Sequence, residues 1–289
     1  MNVRKLTHLC LAGLFCTVLA ACSSTPKSKP DRTAEEYYQE GISSIREGKW
    51  KVAAEAYQDL DRRHPFSPLA QQAQLNLIYA HFKMEEYDDV VTDTERFLRL
   101  HPRHKHVAYA YYMRGLAHFR RLTDAFRDQE RSRAALGALQ EVVSRFPDTD
   151  YAWEASRMAL VCINRLAQQE LVVGRYYLDR EEYVAAINRM RVVVENGQFQ
   201  TTPYVEEALF SLVFANNRLG LKEDARNYAA VLGRNFPEGS FYKLARDIVE
   251  KNDPLTLADV KKMRDQVKEG GVLERMFKGL TPGLPSQVE

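Results

Sequence analysis

Residues 41–65 read GISSIREGKWKVAAEAYQDLDRRHP, and three positions in this stretch, Gly41, Ala53 and Pro65, are each twelve residues apart. Small residues at the first two positions let two antiparallel helices approach closely. Proline is tolerated in the first turn of a helix, because the N–H that it lacks would have no intrahelical partner there. The stretch therefore predicts two packed helices, followed by a third that begins near Pro65.

The interval between a helix start and the following proline recurs along the chain. It is 15 residues in four places: Trp50–Pro65, Tyr87–Pro102, Ser132–Pro147 and Lys222–Pro237. A fifth copy starts at Tyr183, with its proline displaced to Pro203 by a longer loop. The spacing predicts five helix pairs, over residues 34–65, 67–102, 105–147, 149–198 and 203–237.

This spacing resembles that of the tetratricopeptide repeat, which implies an all-α, right-handed solenoid with a concave side. Two pairs are irregular: the third has about eight extra residues near 121–128, and the fourth has a first helix expected from about Tyr151 to Leu178. We expect residues 33–251 to form the repeat domain, with a last helix over 241–251. Residues 252–289 are expected to be a helical tail of unassigned role, with amphipathic pieces at 257–267 and 272–280.

The N-terminus has the layout of an exported lipoprotein. Two basic residues precede an uncharged apolar run, 9–20, that is too short to span a bilayer. The sequence LAAC, which ends at Cys22, resembles the bacterial lipobox and implies a signal peptide over 1–21 and acyl chains on Cys22. Ser23 implies sorting to the outer membrane, and the polar segment 22–32 predicts a flexible tether. An ordinary signal peptide followed by an incidental cysteine is the alternative.

Composition and motifs favour neither an enzyme nor a nucleic-acid-binding protein. The net charge is +2 and 28% of residues are charged, so no strongly charged partner is indicated. The sequence has no GxSxG, P-loop, HExxH or zinc-spaced Cys/His cluster. The histidines of HPRHKH, 101–106, are interspersed with Arg103 and Lys105, which disfavour a bound cation. Cys162 lies in an apolar run and is expected to be buried and unreactive. We therefore expect no catalytic residue, metal or cofactor.

The first helix of each pair is expected to line the concave side of the solenoid. The apolar side chains placed there are Tyr38, Ile42 and Ile45, then Leu75, Tyr79 and Phe82, then Tyr112, Leu116 and Phe119. The next position in each repeat is basic: Arg46, Lys83 or Arg120. Such a trough is suited to a peptide with aromatic side chains and a carboxylate. Alternatively, the aromatic rings fill the space between helices and the cations form a solvated face.

Several longer stretches are more specific than the repeat spacing. They are HPFSP (64–68), QQAQLNLIYA (71–80), RFLRLHP (96–102), YYMRGL (111–116) and YVAAINR (183–189). Together with the lipobox they resemble the BamD (ComL) family of outer-membrane lipoproteins. The third-repeat connection is shorter than in many relatives and reads Asp128-Gln129 where they often have Asp-Pro, so contacts assigned to that loop are not transferred.

The resemblance implies a non-enzymatic scaffold on the periplasmic face of the outer membrane. Its implied partners are the POTRA domains of BamA, accessory Bam lipoproteins and unfolded outer-membrane β-barrel proteins. The N-terminal repeats of the family are assigned to substrate recognition, in agreement with the trough. Arg189 matches the family arginine that pairs with an acidic POTRA residue, which implies a partner-binding role; a solvated helix charge is the alternative.

Two other functions share the anchor and the solenoid. A pilotin-like lipoprotein would assist secretin or pilus assembly, but this gives no reason for the HPFSP and YMRGL stretches. A lipoprotein that acts on peptidoglycan would need a catalytic or glycan-binding cluster, which the sequence does not contain.

Overall fold

The computed structural model describes residues 32–122, 129–251 and 256–268, with side chains described as far as residue 262. Within these ranges all regular structure is α-helical. The helices, in chain order, are α1 (Ala34–Arg46), α2 (Trp50–Arg63), α3 (Ala70–Lys83), α4 (Tyr87–Leu100), α5 (Val107–Arg120), α6 (Gln129–Arg145), α7 (Asp150–Asp179), α8 (Tyr183–Glu195), α9 (Val205–Arg218), α10 (Lys222–Asn235), α11 (Ser240–Lys251) and α12 (Leu257–Lys268). The five expected pairs are α1–α10, so the prediction of an all-α tetratricopeptide-like solenoid is confirmed.

Each helix from α1 to α10 packs chiefly against its neighbours in sequence, as expected for stacked repeats. The close approach within a pair is clearest at Gly41. A β-carbon built on Gly41 would lie 2.4 Å from the Cζ atom of Tyr57, a fully buried ring on α2. The small residue that the sequence pattern singled out is therefore required by the packing of α1 against α2.

The irregular third and fourth pairs follow from local changes in length. Helix α6 has 17 residues where α2, α4 and α10 have 14, so the extra residues of the third repeat are divided between the connection 121–128 and the start of α6. Helix α7 has 30 residues, close to the predicted range, and is capped by the Thr149 hydroxyl, which accepts a hydrogen bond from the Ala152 N–H at 3.2 Å.

Three buried apolar clusters form the core. One lies within α1–α3, a second extends from α3 to the first half of α7, and a third from the second half of α7 to α12. Helix α7 contributes Ala167 to the second cluster and Leu171 to the third, so it is shared by both. The long helix therefore joins the N-terminal and C-terminal parts of the solenoid.

The helices after the last pair partly match expectation. Helix α11 covers the end of the solenoid through Phe241, Ala245 and Ile248, which are buried in the third cluster. The first amphipathic piece of the tail is α12, and its Val260 side chain is buried in the same cluster. The second piece, 272–280, lies outside the described residues, as do the signal peptide, Cys22 and the tether up to residue 31. None of the helices in the described ranges has the length and apolarity needed to cross a membrane.

Four of the turns within pairs have the same geometry. Gly48, Glu85, Glu181 and Gly220 have φ values of 72°, 62°, 62° and 80°, in the left-handed region. In each turn the next N–H bonds back to a carbonyl in the last turn of the preceding helix, as in a Schellman motif; the Lys49 N–H to Ser44 O distance, for example, is 2.8 Å. Each turn therefore needs one residue that tolerates a positive φ.

A polar network fixes α2, α3 and α4 to one another at the edge where α2 and α4 end. We call its members, Asp61, Gln74, Arg96 and His101, the edge network. The buried Asp61 carboxylate accepts hydrogen bonds from Gln74 Nε2, at 2.6 Å, and from Arg96. The Gln74 Oε1 atom accepts a further bond from His101 Nε2 at 3.1 Å. The histidine that precedes Pro102 thus has a structural partner.

Candidate peptide groove and partner surface

The first two repeats hold the N-terminal groove, which we define by Tyr38, Ile42, Ile45, Tyr79 and Phe82 with the cations Arg46 and Lys83. All five apolar side chains in this set are half-buried, and both cations are exposed. A half-buried ring keeps one surface available to a ligand while the other is held by the fold. These residues therefore have the exposure that a binding surface requires.

Each groove ring is held by an aromatic side chain on an adjacent second helix. Tyr38 meets Tyr57 at a centroid distance of 6.0 Å, and Phe82 meets Tyr87 at 5.7 Å. Burial raises the pKa of Tyr38, against the effect of a hydrogen bond from Asn76, so its hydroxyl stays protonated and able to donate at neutral pH. The rings fill space between helices and also remain partly exposed, so each of the two alternatives left open by the sequence describes part of their environment.

Trp50 is part of this site, although the sequence pattern used it only to mark a helix start. Its ring meets that of Tyr79 edge-on at 5.7 Å, and the Lys83 ammonium lies 5.2 Å from its centroid. The indole thus contacts one groove aromatic and one groove cation at the same time. The signal that identifies it is the tertiary contact between α2 and α3, which helical spacing alone does not provide.

Leu75 and the third repeat do not extend the groove surface, which corrects the placement expected from the sequence. Leu75 is 3% exposed and belongs to the second core cluster. Tyr112 and Leu116 are each 1% exposed, and the Tyr112 hydroxyl donates to Glu154 Oε2 at 3.0 Å. Of the third-repeat residues, Phe119 is half-buried and Arg120 exposed. Leu75, Tyr112 and Leu116 support helix packing and offer a peptide almost no surface.

Arg189 lies on α8 and has a partner within the chain. Its guanidinium donates to Glu170 Oε2 at 3.2 Å; the arginine side chain is 47% exposed and that of the glutamate 11%. This pair ties α8 to α7, while nearly half of the arginine remains accessible. A second ion pair, between Arg175 and the buried Glu207, joins α7 to α9 nearby.

A cavity of about 290 Å³ opens beside Arg189, between α8, α9 and the start of α10. It is lined by Val184, Ile187, Asn188, Arg191, Asn216, Leu219, Leu221, Asp224 and Tyr228. Val184 is 63% exposed and Leu221 47%, unusually high for apolar side chains. We call Arg189 and this cavity the C-terminal surface. Its mixture of apolar and charged side chains is typical of protein–protein interfaces.

The remaining reactive side chains are explained by the fold. Cys162 is fully buried, and burial raises its thiol pKa to about 12, against the opposing charge of Arg165. His104 and His106 face each other at 5.6 Å, and burial followed by neighbouring positive groups lowers the pKa of His104. Among the described residues no group of three or more His, Cys, Asp or Glu side chains is arranged to hold a metal.

Comparison with known proteins agrees with these features. The family model described as "YfiO: Outer membrane lipoprotein" matches residues 30–232. Similar proteins, each described as "Outer membrane protein assembly factor BamD", come from three bacteria. The Caulobacter vibrioides protein is 35% identical over 83% of this chain and 80% of its own length, and that of Rickettsia prowazekii is 35% identical over 85% and 98%. The protein of Neisseria meningitidis is 34% identical over 80% and 90%.

Among solved structures, a thermophilic TPR protein from Thermus thermophilus covers 73% of this chain and 96% of its own, at 14% identity and a TM-score of 0.33. That likeness is too low to contribute to the assignment, which depends on the sequence matches and on the order of the helix pairs. The family model alone spans more than half of the chain, from just before α1 into α10. The chain belongs to the BamD (YfiO) family of outer-membrane protein assembly factors.

Proposed function

We propose that this protein is a non-catalytic lipoprotein scaffold of the β-barrel assembly machinery, anchored through Cys22 to the periplasmic face of the outer membrane. In this role it binds the POTRA domains of BamA and accessory Bam lipoproteins through its C-terminal repeats. Its N-terminal repeats receive unfolded outer-membrane β-barrel proteins. The observation that carries the proposal is the N-terminal groove, with half-buried aromatic rings beside two exposed cations, in a chain of the BamD family.

The groove is suited to a peptide that ends in an aromatic residue and a free carboxylate. Aromatic rings offer stacking surface at low entropic cost, and Arg46 and Lys83 offer charge-assisted hydrogen bonds to a carboxylate. We therefore expect such a peptide to bind more tightly than the same peptide with an amidated terminus. The difference should depend on the two cations and not on the rings.

The test measures binding of both peptides by fluorescence anisotropy. The double variant Arg46→Glu, Lys83→Glu should weaken binding of the free-acid peptide at least tenfold and leave the amidated peptide nearly unchanged. Tyr38→Ala with Phe82→Ala should weaken both peptides. Lys222→Glu, an exposed cation at the start of α10, is the matched charge control. Unchanged binding by both groove variants would refute a substrate role for the groove.

The proposed role of Arg189 must be separated from its internal pair with Glu170. Arg189→Glu removes the cation from both, whereas Glu170→Gln breaks the ion pair and leaves the arginine for a partner. We expect co-purification with BamA to be lost in Arg189→Glu and retained in Glu170→Gln. Equal losses in the two variants would show that the arginine acts only within the fold.

The scaffold proposal as a whole is tested by a mild-detergent pull-down from native membranes. Recovery of a barrel protein with POTRA domains is the expected result. Recovery of a secretin instead would favour the pilotin-like function.

A further inference from the structure

One edge of the solenoid combines the start of α1 with the loops that end the first two repeats. The His64 Nε2–H donates to the Arg32 carbonyl oxygen at 2.8 Å, which fixes the loop after α2 beside the first described residue. The edge network holds the loop after α4 at the same edge, through His101 and Gln74. We call this surface, residues 62–68 and 99–105, the tether edge, because residues 22–31 lead from it to Cys22.

Phe66 is the most prominent feature of the tether edge. Its side chain is 98% exposed, compared with 61% for Trp153 and 63% for Val184. In the third and fifth repeats the loop phenylalanine precedes the proline, as Phe146 and Phe236, and is half-buried. In the first repeat histidine takes that position, and the phenylalanine follows Pro65 and points away from the core. The fold therefore gives no packing reason for an aromatic side chain at position 66.

The loops around Phe66 are basic. Segments 62–68 (RRHPFSP) and 99–105 (RLHPRHK) contain no acidic residue. Arg99, Arg103 and Lys105 are exposed, as is Leu100 at 53%. The second loop borders an open cavity of about 500 Å³ that is lined by Gln71, Leu100, His101, Pro102, Arg103, His104 and Lys105. By contrast, the loops that end the third and fifth repeats carry Asp148 and Glu238.

We propose that the tether edge is a membrane-contact surface, in which Phe66 enters the bilayer interface and the loop cations bind anionic lipid headgroups. The inference rests on the proposed lipid anchor at Cys22. Ten residues, 22–31, separate Cys22 from Arg32, and a chain of that length spans at most about 35 Å. The anchor thus keeps this edge, with its exposed aromatic and basic side chains, within reach of the membrane. An aromatic wedge flanked by arginine and lysine is the composition that favours such an interface.

The two contributions reinforce each other. The acyl chains hold the protein at the membrane but leave its orientation undetermined, since the tether is a single attachment point. A second contact at the tether edge fixes the direction in which the solenoid extends from the membrane. The headgroup phosphates of phosphatidylglycerol are the binding partners that this surface selects.

The experiment uses the mature chain with Cys22→Ala, so that no acyl chain contributes. Binding is measured by flotation with vesicles of phosphatidylethanolamine and phosphatidylglycerol, and with vesicles of phosphatidylcholine. We expect binding to the anionic vesicles, weakened about tenfold by Phe66→Ala and by roughly fivefold for each of Arg103→Glu and Lys105→Glu, in line with the contribution of single cations at a membrane surface. Leu221→Ala and Lys222→Glu, at the opposite edge, are matched controls and should bind as the parent chain does.

A second readout reports insertion directly. In Phe66→Trp, acyl chains brominated near the headgroup should quench the new indole, while Trp153, exposed on α7, should stay unquenched. Absence of vesicle binding, equal binding to both lipid compositions, or equal loss in edge and control variants would overturn the inference. Vesicle binding and peptide or BamA binding are measured separately, so failure of this inference leaves the scaffold proposal intact, and the reverse also holds.

Discussion

The recurring turn between paired helices allows a test of how local backbone geometry contributes to the stability of each repeat. Gly48 and Gly220 have a left-handed conformation at the same position where Glu85 and Glu181 have one. A β-carbon built on Gly48 would have no atom within 4 Å. A side chain there therefore costs backbone energy alone, without a packing clash.

The expected effect is the difference between two opposing contributions. A left-handed conformation costs an L-residue roughly 1–2 kcal/mol. Removing a glycine recovers about 0.4–1 kcal/mol, because the unfolded chain loses flexibility. Gly48→Ala should therefore lower the free energy of unfolding of the first repeat by about 1 kcal/mol, on balance of these values. Glu85→Gly should raise that of the second repeat by a similar amount.

The assay must resolve individual repeats, because a solenoid of this length need not unfold in a single transition. Hydrogen exchange measured by mass spectrometry reports protection in peptides from α1–α2 and from α3–α4 separately. A urea titration followed by helical circular dichroism gives the overall effect. We expect faster exchange in the first repeat of Gly48→Ala and slower exchange in the second repeat of Glu85→Gly.

Two controls separate backbone geometry from other causes. Glu85→Ala keeps an L-residue in the turn, so it should not reproduce the gain of Glu85→Gly. Gly137 lies exposed within α6, where a β-carbon would also have no atom within 4 Å, and Gly137→Ala should stabilise by up to about 1 kcal/mol. If Gly48→Ala stabilises the protein as Gly137→Ala does, the reasoning from the left-handed turn is wrong.

Three further changes test the packing and the polar contacts. Asp61→Ala, which removes the central acceptor of the edge network, should lower the free energy of unfolding by about 2–3 kcal/mol in a urea titration, since buried donors lose their partner. Gly41→Ala should cost about 1–3 kcal/mol by displacing the Tyr57 ring, with local deprotection of α1 and α2 in hydrogen exchange. Burial opposes charging of His81, but its hydrogen bond to Asp93, 2.8 Å long, and nearby carboxylates raise its pKa above the ordinary 6.5. This stabilisation is present in full below pH 6.5 and is lost as the pH rises through the higher folded-state pKa, so the pH dependence of unfolding above 6.5 should be weaker in His81→Gln.

The repeat architecture was predictable because it depends on local steric rules. A small residue at position 41 and prolines after the second helices are needed wherever paired helices meet closely and the chain reverses. Those requirements are written into the spacing, and so the long α7 and the extended third connection were also recognisable as departures from it. The left-handed turns were less evident, because glutamate takes the position of glycine in two of them.

The site was predicted less completely, for reasons of tertiary packing. Adjacent positions on a helix differ by about 100° in direction, so the same register placed Tyr79 at the groove and Leu75 in the core. Trp50 was missed because it reaches the groove from the neighbouring α2. The Glu170 partner of Arg189 is 19 residues away on another helix, a contact that no local pattern reveals.

The division of the core has a consequence for how the two proposed binding surfaces interact. The N-terminal groove rests on the first two clusters and the C-terminal surface on the third, and these parts meet through α7. Stacked repeats contact only their neighbours, so a substitution in the groove perturbs the C-terminal surface chiefly through that one helix. Effects of groove and Arg189 variants should therefore add, because sites far apart without shared partners do so. Departure from additivity in peptide or BamA binding would indicate that α7 transmits a change between the two surfaces, and variants of the Arg175–Glu207 pair that holds α7 against α9 would then alter the coupling.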